Sequence, residues 1–152
     1  MKIENLCICY ASTYHLSLIL VEYLKNRKDS NIVTFFEKGI EDEVKSLIEK
    51  YNIKSESINK IEFNKTTNIQ NKKIEITKDN IFIIRGDIEY INFIIKYLEE
   101  NYDINNTNSK IIKCYDFQTQ VKFMDKILKE NDKIIFTNGE HKINKNGEKI
   151  QY

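Results

Sequence analysis

Glycine is scarce in this chain, with four among 152 residues, and this scarcity bears on the first loop. Residues 9–17, CYASTYHLS, follow an apolar run of strand length and open a helical pattern, yet they contain neither glycine nor lysine. A phosphate-binding loop needs glycines to wrap the phosphates, a lysine for the terminal phosphates and a hydroxyl for magnesium. ATP hydrolysis by that route is therefore not expected, although Ser12, Thr13 and the helix N-terminus remain able to hold a small anion.

Cysteine is also rare, and the three present are Cys7, Cys9 and Cys114. An odd number of cysteines in a chain whose N-terminus lacks a secretion signal predicts reduced thiols rather than a disulfide framework. No apolar run reaches the roughly 20 residues that span a bilayer. These absences together predict a soluble, cytoplasmic protein with no membrane partner.

An excess of charge of either sign is absent, since 24 Lys and Arg residues face 23 Asp and Glu residues and leave a formal net charge of +1. Binding to the phosphate backbone of nucleic acids depends on surplus positive charge. The chain by itself is therefore not expected to bind nucleic acid. Its length corresponds to about one domain with a single core.

What the sequence does contain is a regular alternation of short apolar runs with segments of helical spacing. The predicted strands cover residues 5–11, 31–37, 80–86, 109–116 and 132–138, and the predicted helices cover residues 15–26, 40–52, 88–101 and 119–131. Such alternation indicates a mainly parallel sheet covered on both faces, because each right-handed crossover lays a helix against the sheet. The pattern predicts an α/β fold, a three-layer α/β/α sandwich with about five strands.

Helical spacing also predicts which side chains face the core. The inward faces of the first three helices are Leu16, Ile19, Leu20, Tyr23 and Leu24, then Ile40, Val44, Leu47, Ile48 and Tyr51, then Ile91, Ile94, Ile95 and Leu98.

Residues 54–79 interrupt the alternation. They are rich in Asn, Lys, Thr and Ser, with short candidate strands at 58–63 and 72–77, and we predict a hairpin or a mobile flap. The tail, residues 140–152, is expected to form a last hairpin around Asn146 and Gly147, because this pair favours a tight turn. No repeat or linker marks a second domain, so residues 1–152 are expected to form one.

Ligands of open parallel sheets bind beyond the carboxyl ends of the strands, where helix N-termini present unpaired N–H groups. In this sequence those ends carry polar residues that converge on one rim: Tyr10, Ser12, Thr13, Glu37, Arg85, Gly86, Asp87, Tyr115, Asp116, Thr137, Asn138 and Gly139. Taken singly, Ser12, Asp87 and Asp116 are better explained as helix caps. Only the group as a whole indicates a binding site.

The cysteines and the two histidines raise the question of a metal or catalytic site. Cys7 and Cys9 are two residues apart on a strand and point to the same face, whereas Cys114 ends a different strand. A structural zinc site requires four ligands, and no Cys-x-x-Cys motif is present. Thiols in buried strands are usually small hydrophobic groups, so no metal site is predicted. His15 is expected to pack or to cap a helix, His141 lies in a polar tail, and no catalytic residue is indicated.

Several short motifs resemble the MEDS domain, a sensory domain named after methanogens, methylotrophs and a dichloromethane regulator, whose members tend to begin with His-x-Cys-x-x-Tyr. The similar segments are Asn5-Leu6-Cys7 with Tyr10 and Ser12, Arg85-Gly86-Asp87 after a strand, YLEEN at 97–101, the strand end Cys114-Tyr115-Asp116 and the closing Gly139. The resemblance covers residues 4–139. Asn5 stands where the family usually has His, Asp87 where it has Glu, and the middle region is shortened.

The resemblance implies a P-loop-NTPase-like core that has lost its phosphate-binding loop, in agreement with the missing glycines. It also implies a non-enzymatic sensory or signalling module whose partner is a small molecule or a signalling protein. The sequence does not identify a cofactor. The expected ligand-binding residues are Cys7, Tyr10, Ser12, Thr13, His15, Glu37, Arg85, Asp87, Cys114 and Asp116.

Two other functions remain open at this point. The first is an enzyme, a degenerate nucleotide-binding or glycosyltransferase-like domain. Residues 13–20, TYHLSLIL, resemble the N-terminal half of capsule-type glycosyltransferases, with His15 near a donor or acceptor, although 152 residues leave no room for the second nucleotide-binding half. The alternative is a protein-binding adaptor. A homodimer through an unpaired sheet edge, or through a helix face with Phe93 and Tyr97, fits either function.

Overall fold

The computed structural model describes residues 2–37, 41–51, 53, 56–58 and 74–144. The strands in these residues are β1 (Ile3–Tyr10), β2 (Asn31–Phe36), β3 (Glu56–Ile58), β4 (Asp79–Arg85), β5 (Asn108–Asp116), β6 (Lys133–Phe136) and β7 (Gly139–Lys142). The α-helices are α1 (Thr13–Leu24), α2 (Glu41–Lys50), α3 (Ile88–Asn101), α4 (Phe117–Gln120) and α5 (Met124–Glu130). Short 3-10 helices lie at Ile104–Asn106 and Val121–Phe123.

The strands form one sheet in the order β3-β2-β4-β5-β1-β6-β7. Neighbouring strands are parallel throughout, except that β7 is antiparallel to β6. The predicted α/β class and mainly parallel sheet are confirmed. The expected number of about five strands is wrong, because β3 and β7 extend the sheet at its two edges.

β7 begins at Gly139, so the chain reverses earlier than the sequence predicted. Gly139 has a φ of +113°, a conformation that residues with a Cβ rarely adopt, and it allows the tight return from β6. Phe136 pairs with Gly139 and Ile135 with Glu140 across this hairpin. The turn predicted at residues 146 and 147 lies outside the described residues.

The predicted flap, residues 54–79, is described only at 56–58 and 74–79. In the first of these stretches β3 pairs in parallel with β2. The strand predicted over 72–77 is not formed at its described positions, 74–77, where local hydrogen bonds replace strand pairing: the backbone N–H of Thr77 donates to Asn80 Oδ1 at 2.9 Å. The remainder of the predicted hairpin or flap lies outside the described residues.

The side chains of β1 alternate between two buried clusters, one on each face of the sheet. Leu6, Ile8 and Tyr10 belong to a cluster with α1 and α2, which we call the α1-side cluster. Cys7 belongs to the α3-side cluster, to which α3 contributes and α5 adds Ile127. Burial on both faces explains why the central strands read as continuous apolar runs.

The helical spacing predicted for α1 is confirmed, since all five residues of its predicted inward face are buried. In α2, Val44 and Ile48 are buried as predicted. Tyr51 does not belong to that face: α2 ends at Lys50, and the Tyr51 side chain is 55% exposed. Ile40 lies outside the described residues.

α3 is the longest of the described helices, with 14 residues, and its buried face includes Ile91, Ile94 and Leu98 as predicted. Its first turn is capped by Asp87, whose side chain accepts a hydrogen bond from the N–H of Tyr90. In the part of the chain described, no helix combines the length and apolar character that crossing a membrane requires.

The single helix predicted over residues 119–131 is wrong. Asp116 caps α4, so the helical segment begins at Phe117, and a 3-10 turn at Val121–Phe123 separates α4 from α5. Gln120 is buried while the neighbouring Val121 is exposed. Polar and apolar positions therefore do not follow one continuous helical face, and the change of helix type turns Ile127 toward the α3-side cluster.

Two leucines of α1 provide a matched test of this packing. Leu20 is fully buried in the α1-side cluster, whereas Leu18 is 44% exposed. We expect Leu20→Ala to lower the free energy of unfolding by about 2–5 kcal/mol, because it leaves a cavity, and Leu18→Ala to lower it by less than about 1 kcal/mol. Urea unfolding followed by circular dichroism measures both. An equal loss in the two variants would contradict the described orientation of α1.

Candidate functional site

The carboxyl ends of β1, β2, β4 and β5 meet on one rim of the sheet. Tyr10 pairs with Asp116, Arg85 with Cys114, and Phe36 with Arg85. After β1 and β2 the chain passes to helices of the α1-side cluster, whereas after β4 and β5 it passes to helices of the α3-side cluster. Connections therefore leave in opposite directions at two places, between β2 and β4 and between β5 and β1. In parallel sheets a binding crevice forms at such a switch point.

Arg85 connects the end of β4 to the beginning of α1. Its Nε donates a hydrogen bond to the Tyr10 hydroxyl at 3.0 Å, and its Nη2 donates to Thr13 Oγ1 at 3.2 Å. The guanidinium lies 4.9 Å from the centre of the Tyr10 ring, and Arg85 is only 3% exposed. Burial raises the pKa of Tyr10, so its hydroxyl stays protonated at neutral pH despite the nearby cation. Three of the predicted site residues, Tyr10, Thr13 and Arg85, thus form one hydrogen-bonded unit.

Glu37, Gly86 and Asp87 fill the crevice between β2 and β4. Glu37 Oε2 accepts a hydrogen bond from the backbone N–H of Asp87 at 3.2 Å, and burial raises the pKa of the Glu37 carboxyl. A Cβ at Gly86 would lie 2.6 Å from Tyr90 Cδ2 and 2.9 Å from Glu37 Oε2. This close approach requires glycine at position 86. Here the residues predicted to bind a ligand contact one another.

The crevice between β5 and β1 is bordered by two capped helix starts. Ser12 Oγ accepts a hydrogen bond from the N–H of His15 at 3.1 Å, and His15 Nδ1 accepts one from the N–H of Ala11 at 3.0 Å. On the other side, Asp116 Oδ1 accepts from the N–H of Gln118 at 3.0 Å. Ser12, His15 and Asp116 therefore bond to nearby backbone N–H groups, in agreement with the helix-capping roles that the sequence predicts for each of them.

Two exposed aromatic side chains, Tyr14 and Phe117, follow the same pair of strands. Tyr14 is 66% exposed at the start of α1, and Phe117 is 47% exposed as the first residue of α4. Sequence reasoning passed over both. The sequence feature that could have identified them is an aromatic residue one or two positions after a polar helix cap and outside the apolar face of the helix.

The two remaining predicted site residues, Cys7 and Cys114, lie within the sheet rather than at the rim. Both are fully buried, and they belong to opposite clusters. Burial raises the pKa of the Cys114 thiol. A hydrogen bond between neighbouring thiols raises the pKa of Cys7 and lowers that of Cys9. The ten predicted residues are thus divided among several separate groups.

Metal ligands of the common kind do not cluster at the rim: across the described ranges, no three His, Cys, Asp or Glu side chains are placed to hold an ion together. Two cavities lie apart from the ten predicted binding residues. One of about 240 Å³ is lined by Glu4, Asn80 and Lys110 at the amino ends of the strands, and one of about 230 Å³ is lined by Tyr23 and Asn138 beside the turn between β6 and β7. Neither contains any of the ten predicted site residues.

Comparison of the chain with family models, with curated proteins and with solved structures finds no match. The resemblance to the MEDS family therefore stays a prediction.

The unit formed by Arg85, Tyr10 and Thr13 leads to a test with a matched control. Tyr10→Phe removes a hydrogen-bond acceptor from a buried cation, and we expect it to lower the free energy of unfolding by about 1.5–3 kcal/mol. Tyr115 is equally buried, but its hydroxyl has no hydrogen-bond partner among the described residues. Tyr115→Phe is therefore expected to be neutral or stabilising. Chemical denaturation measures both, and a larger loss for Tyr115→Phe would contradict the assignment.

An ion-pair network lies at the amino half of the sheet. Glu4 lies 2.7 Å from Lys110 Nζ and 3.1 Å from Lys133 Nζ, and Lys133 also lies 3.2 Å from Glu140. The hydrogen bond from Lys110 is the largest cause that lowers the pKa of Glu4, from 4.5 to about 2.

A carboxyl with a lowered pKa in the folded state stabilises the protein above its unfolded pKa and ceases to do so as the pH falls. We expect stability to decrease between pH 4.5 and about 2 in part through Glu4, and Glu4→Gln to flatten this decrease. Glu22→Gln, which removes an exposed pair with Lys25, is the control and is expected to change little. The test is the thermal unfolding midpoint measured across this pH range. If the midpoint of Glu4→Gln falls with pH as steeply as that of the parent, the lowered pKa of Glu4 is contradicted.

Proposed function

We propose that this protein is a non-enzymatic sensory module that binds a small molecule at the carboxyl ends of its strands, in the crevice between β5 and β1. The observation that carries the proposal is the pair Tyr14 and Phe117, two exposed aromatic side chains that follow β1 and β5, the strands on either side of a switch point of the sheet. Exposed aromatic rings beside a crevice supply a flat apolar surface, and such surfaces bind planar ligands.

The polar surroundings favour a planar ligand that carries a small anionic group. The first turn of α1 contains no acidic residue, and the N-terminus of a helix attracts negative charge. The Arg85 guanidinium lies beneath this turn, bonded to Thr13. The Asp116 carboxylate is directed to the N–H of Gln118, which leaves α1 as the more attractive side for negative charge. Aromatic carboxylates and nucleotides satisfy this description.

We further propose that the fold is a three-layer α/β/α sandwich with a P-loop-NTPase-like core that lacks the phosphate-binding loop, as in the MEDS family. Support comes from the two buried clusters on opposite faces of the sheet and from a first loop with neither glycine nor lysine. In such a module the ligand changes the output of a signalling partner, and turnover of the ligand is not expected.

A second candidate function, a protein-binding adaptor, is favoured by the outer face of α1. Tyr14 and Leu18 are four residues apart, so they lie on the same side of the helix, and both are exposed. An apolar stripe of this kind fits a partner helix or a second copy of the chain.

A thermal-shift screen of the reduced protein against nucleotides, cyclic nucleotides and aromatic carboxylates tests the first candidate. A ligand at a hundredfold excess over its dissociation constant adds about 2.7 kcal/mol of stability. We expect Tyr14→Ala and Phe117→Ala to abolish the shift of the unfolding midpoint, because both remove stacking surface. Tyr51→Ala, at an exposed tyrosine beyond the end of α2, is the matched control and is expected to keep it.

Two outcomes would contradict the sensory proposal: multiple turnovers of a compound in the screen, or a shift that both aromatic variants retain. If no compound shifts the midpoint and Leu18→Ala instead abolishes self-association in light scattering, the adaptor function replaces it.

A further inference from the structure

The turn between β6 and β7 holds rim residues that the proposed ligand site does not use. Asn138 lies in this turn with its side chain exposed to solvent, and Gly139 follows it. Gly139 has a φ of +113°, and no atom of the described residues lies within 4 Å of the position that a Cβ would occupy there. Asparagine is a thermally labile residue, and here no side chain hinders approach to the backbone nitrogen that follows it.

His141 contacts the same amide. Its Nε2 lies 2.8 Å from Asn138 Oδ1, and because an amide oxygen only accepts hydrogen bonds, the Nε2–H donates. The imidazole packs against Phe136, with the two ring centres 5.3 Å apart in an edge-to-face arrangement. Phe136 also pairs with Gly139 across the hairpin. The hairpin that forms the turn therefore also directs a hydrogen-bond donor at the oxygen of this amide.

We propose that Asn138 is a modification site, at which the side-chain amide becomes a carboxyl group without an enzyme and with the help of His141. The backbone nitrogen of Gly139 gives its proton to water and attacks Asn138 Cγ, and the new N–Cγ bond closes a succinimide ring. Negative charge develops on Oδ1, where the Nε2–H of His141 stabilises it. The Cγ–Nδ2 bond then breaks, and ammonia leaves after taking a proton from water.

Water completes the reaction by opening the succinimide. Attack at Cγ breaks the new N–Cγ bond and gives aspartate, whereas attack at the main-chain carbonyl gives isoaspartate, in which the main chain runs through Cγ. A cavity of about 230 Å³, which Asn138 helps to line, lies beside the turn and offers space for this water. In sum, an amide and water give a carboxylate and ammonium, and no electron is transferred.

Other asparagines of the described residues lack this combination of features. Asn26 is exposed and lines the same cavity, but Arg27 follows it, and a side chain at that position hinders attack by the backbone nitrogen. Asn80 and Asn131 are buried, and the Nδ2 of each donates to a backbone carbonyl, at 2.8 and 2.6 Å. In the described part of the chain, Asn138 is the one asparagine that precedes glycine.

The modification affects how β7 is held. Glu140, the second residue of β7, accepts a hydrogen bond from the Tyr23 hydroxyl at 2.7 Å and lies 3.2 Å from Lys133 Nζ. Isoaspartate adds one carbon to the main chain just before this strand, so we expect it to disturb both contacts and to lower the thermal unfolding midpoint. The inference does not rest on the proposed function, because the turn contains neither Tyr14 nor Phe117.

Peptide mapping by mass spectrometry, on folded protein aged in neutral buffer, tests the site. Trypsin releases residues 134–142, in which Asn138 is the only side-chain amide, and residues 146–149, which contain the second Asn-Gly-Glu segment of the chain and serve as the internal control. We expect His141→Ala to slow conversion at Asn138 by about tenfold, less than such a donor contributes in a closed active site, and to leave Asn146 unchanged. His141→Gln, which keeps a side-chain N–H donor, is expected to retain most of the rate.

The same incubation in guanidinium chloride separates geometry from local sequence. Unfolding removes the hydrogen bond, so the parent and His141→Ala are expected to convert Asn138 at equal rates there, while circular dichroism checks that both are folded in buffer. Three results would overturn the proposal: an unchanged Asn138 in the folded parent over a time in which the unfolded chain converts, equal rates in folded parent and His141→Ala, and a rate difference between them that persists in guanidinium chloride.

Discussion

The central strands of this protein are covered on both faces, and this constraint determines where every other part of the chain can lie. Because side chains alternate along a strand, the apolar residues of β1 divide between two clusters, and a shift of one residue would exchange them. Tyr10 and Cys9 are neighbours in sequence, yet they serve different faces. The candidate site lies at the strand ends, where backbone groups meet helix starts.

The two switch points of the sheet differ in whether protein side chains fill the crevice. Between β2 and β4, the Glu37 carboxylate accepts a hydrogen bond from the backbone N–H of Asp87 and lies against Gly86. The side chain of Glu37 therefore fills this crevice. Between β5 and β1, the caps are satisfied locally while Tyr14 and Phe117 stay exposed. Arg85 acts beneath this second crevice and fixes α1 to β4 across the intervening strand β5. The rim thus combines the hydrogen-bonded Arg85 with the exposed aromatic side chains of Tyr14 and Phe117.

Sequence reasoning succeeded where a local pattern determines the structure. The apolar runs of the central strands, the buried face of α1 and the caps Ser12, Asp87 and Asp116 all follow from periodicity and hydrogen-bonding capacity. It missed β3 and β7, because short edge strands need only one covered face and GEHK contains no apolar residue to mark it. It could not bring Met124 to Cys9, because the two are 115 residues apart and only the assembled sheet and α5 make them neighbours. The same holds for Arg85 and Thr13.

The position of β1 also determines how the chain folds as it is made. β1 is synthesised before both of its partners, since β5 and β6 come about 100 residues later. At translation rates of about 5–20 residues per second, the apolar segment NLCICYA waits roughly 5–20 s before either edge is paired. During that time it is an unpaired apolar strand with two free thiols, the kind of segment that chaperones bind and that aggregates without them. Completion of the sheet is therefore the step at which the nascent chain ceases to need protection.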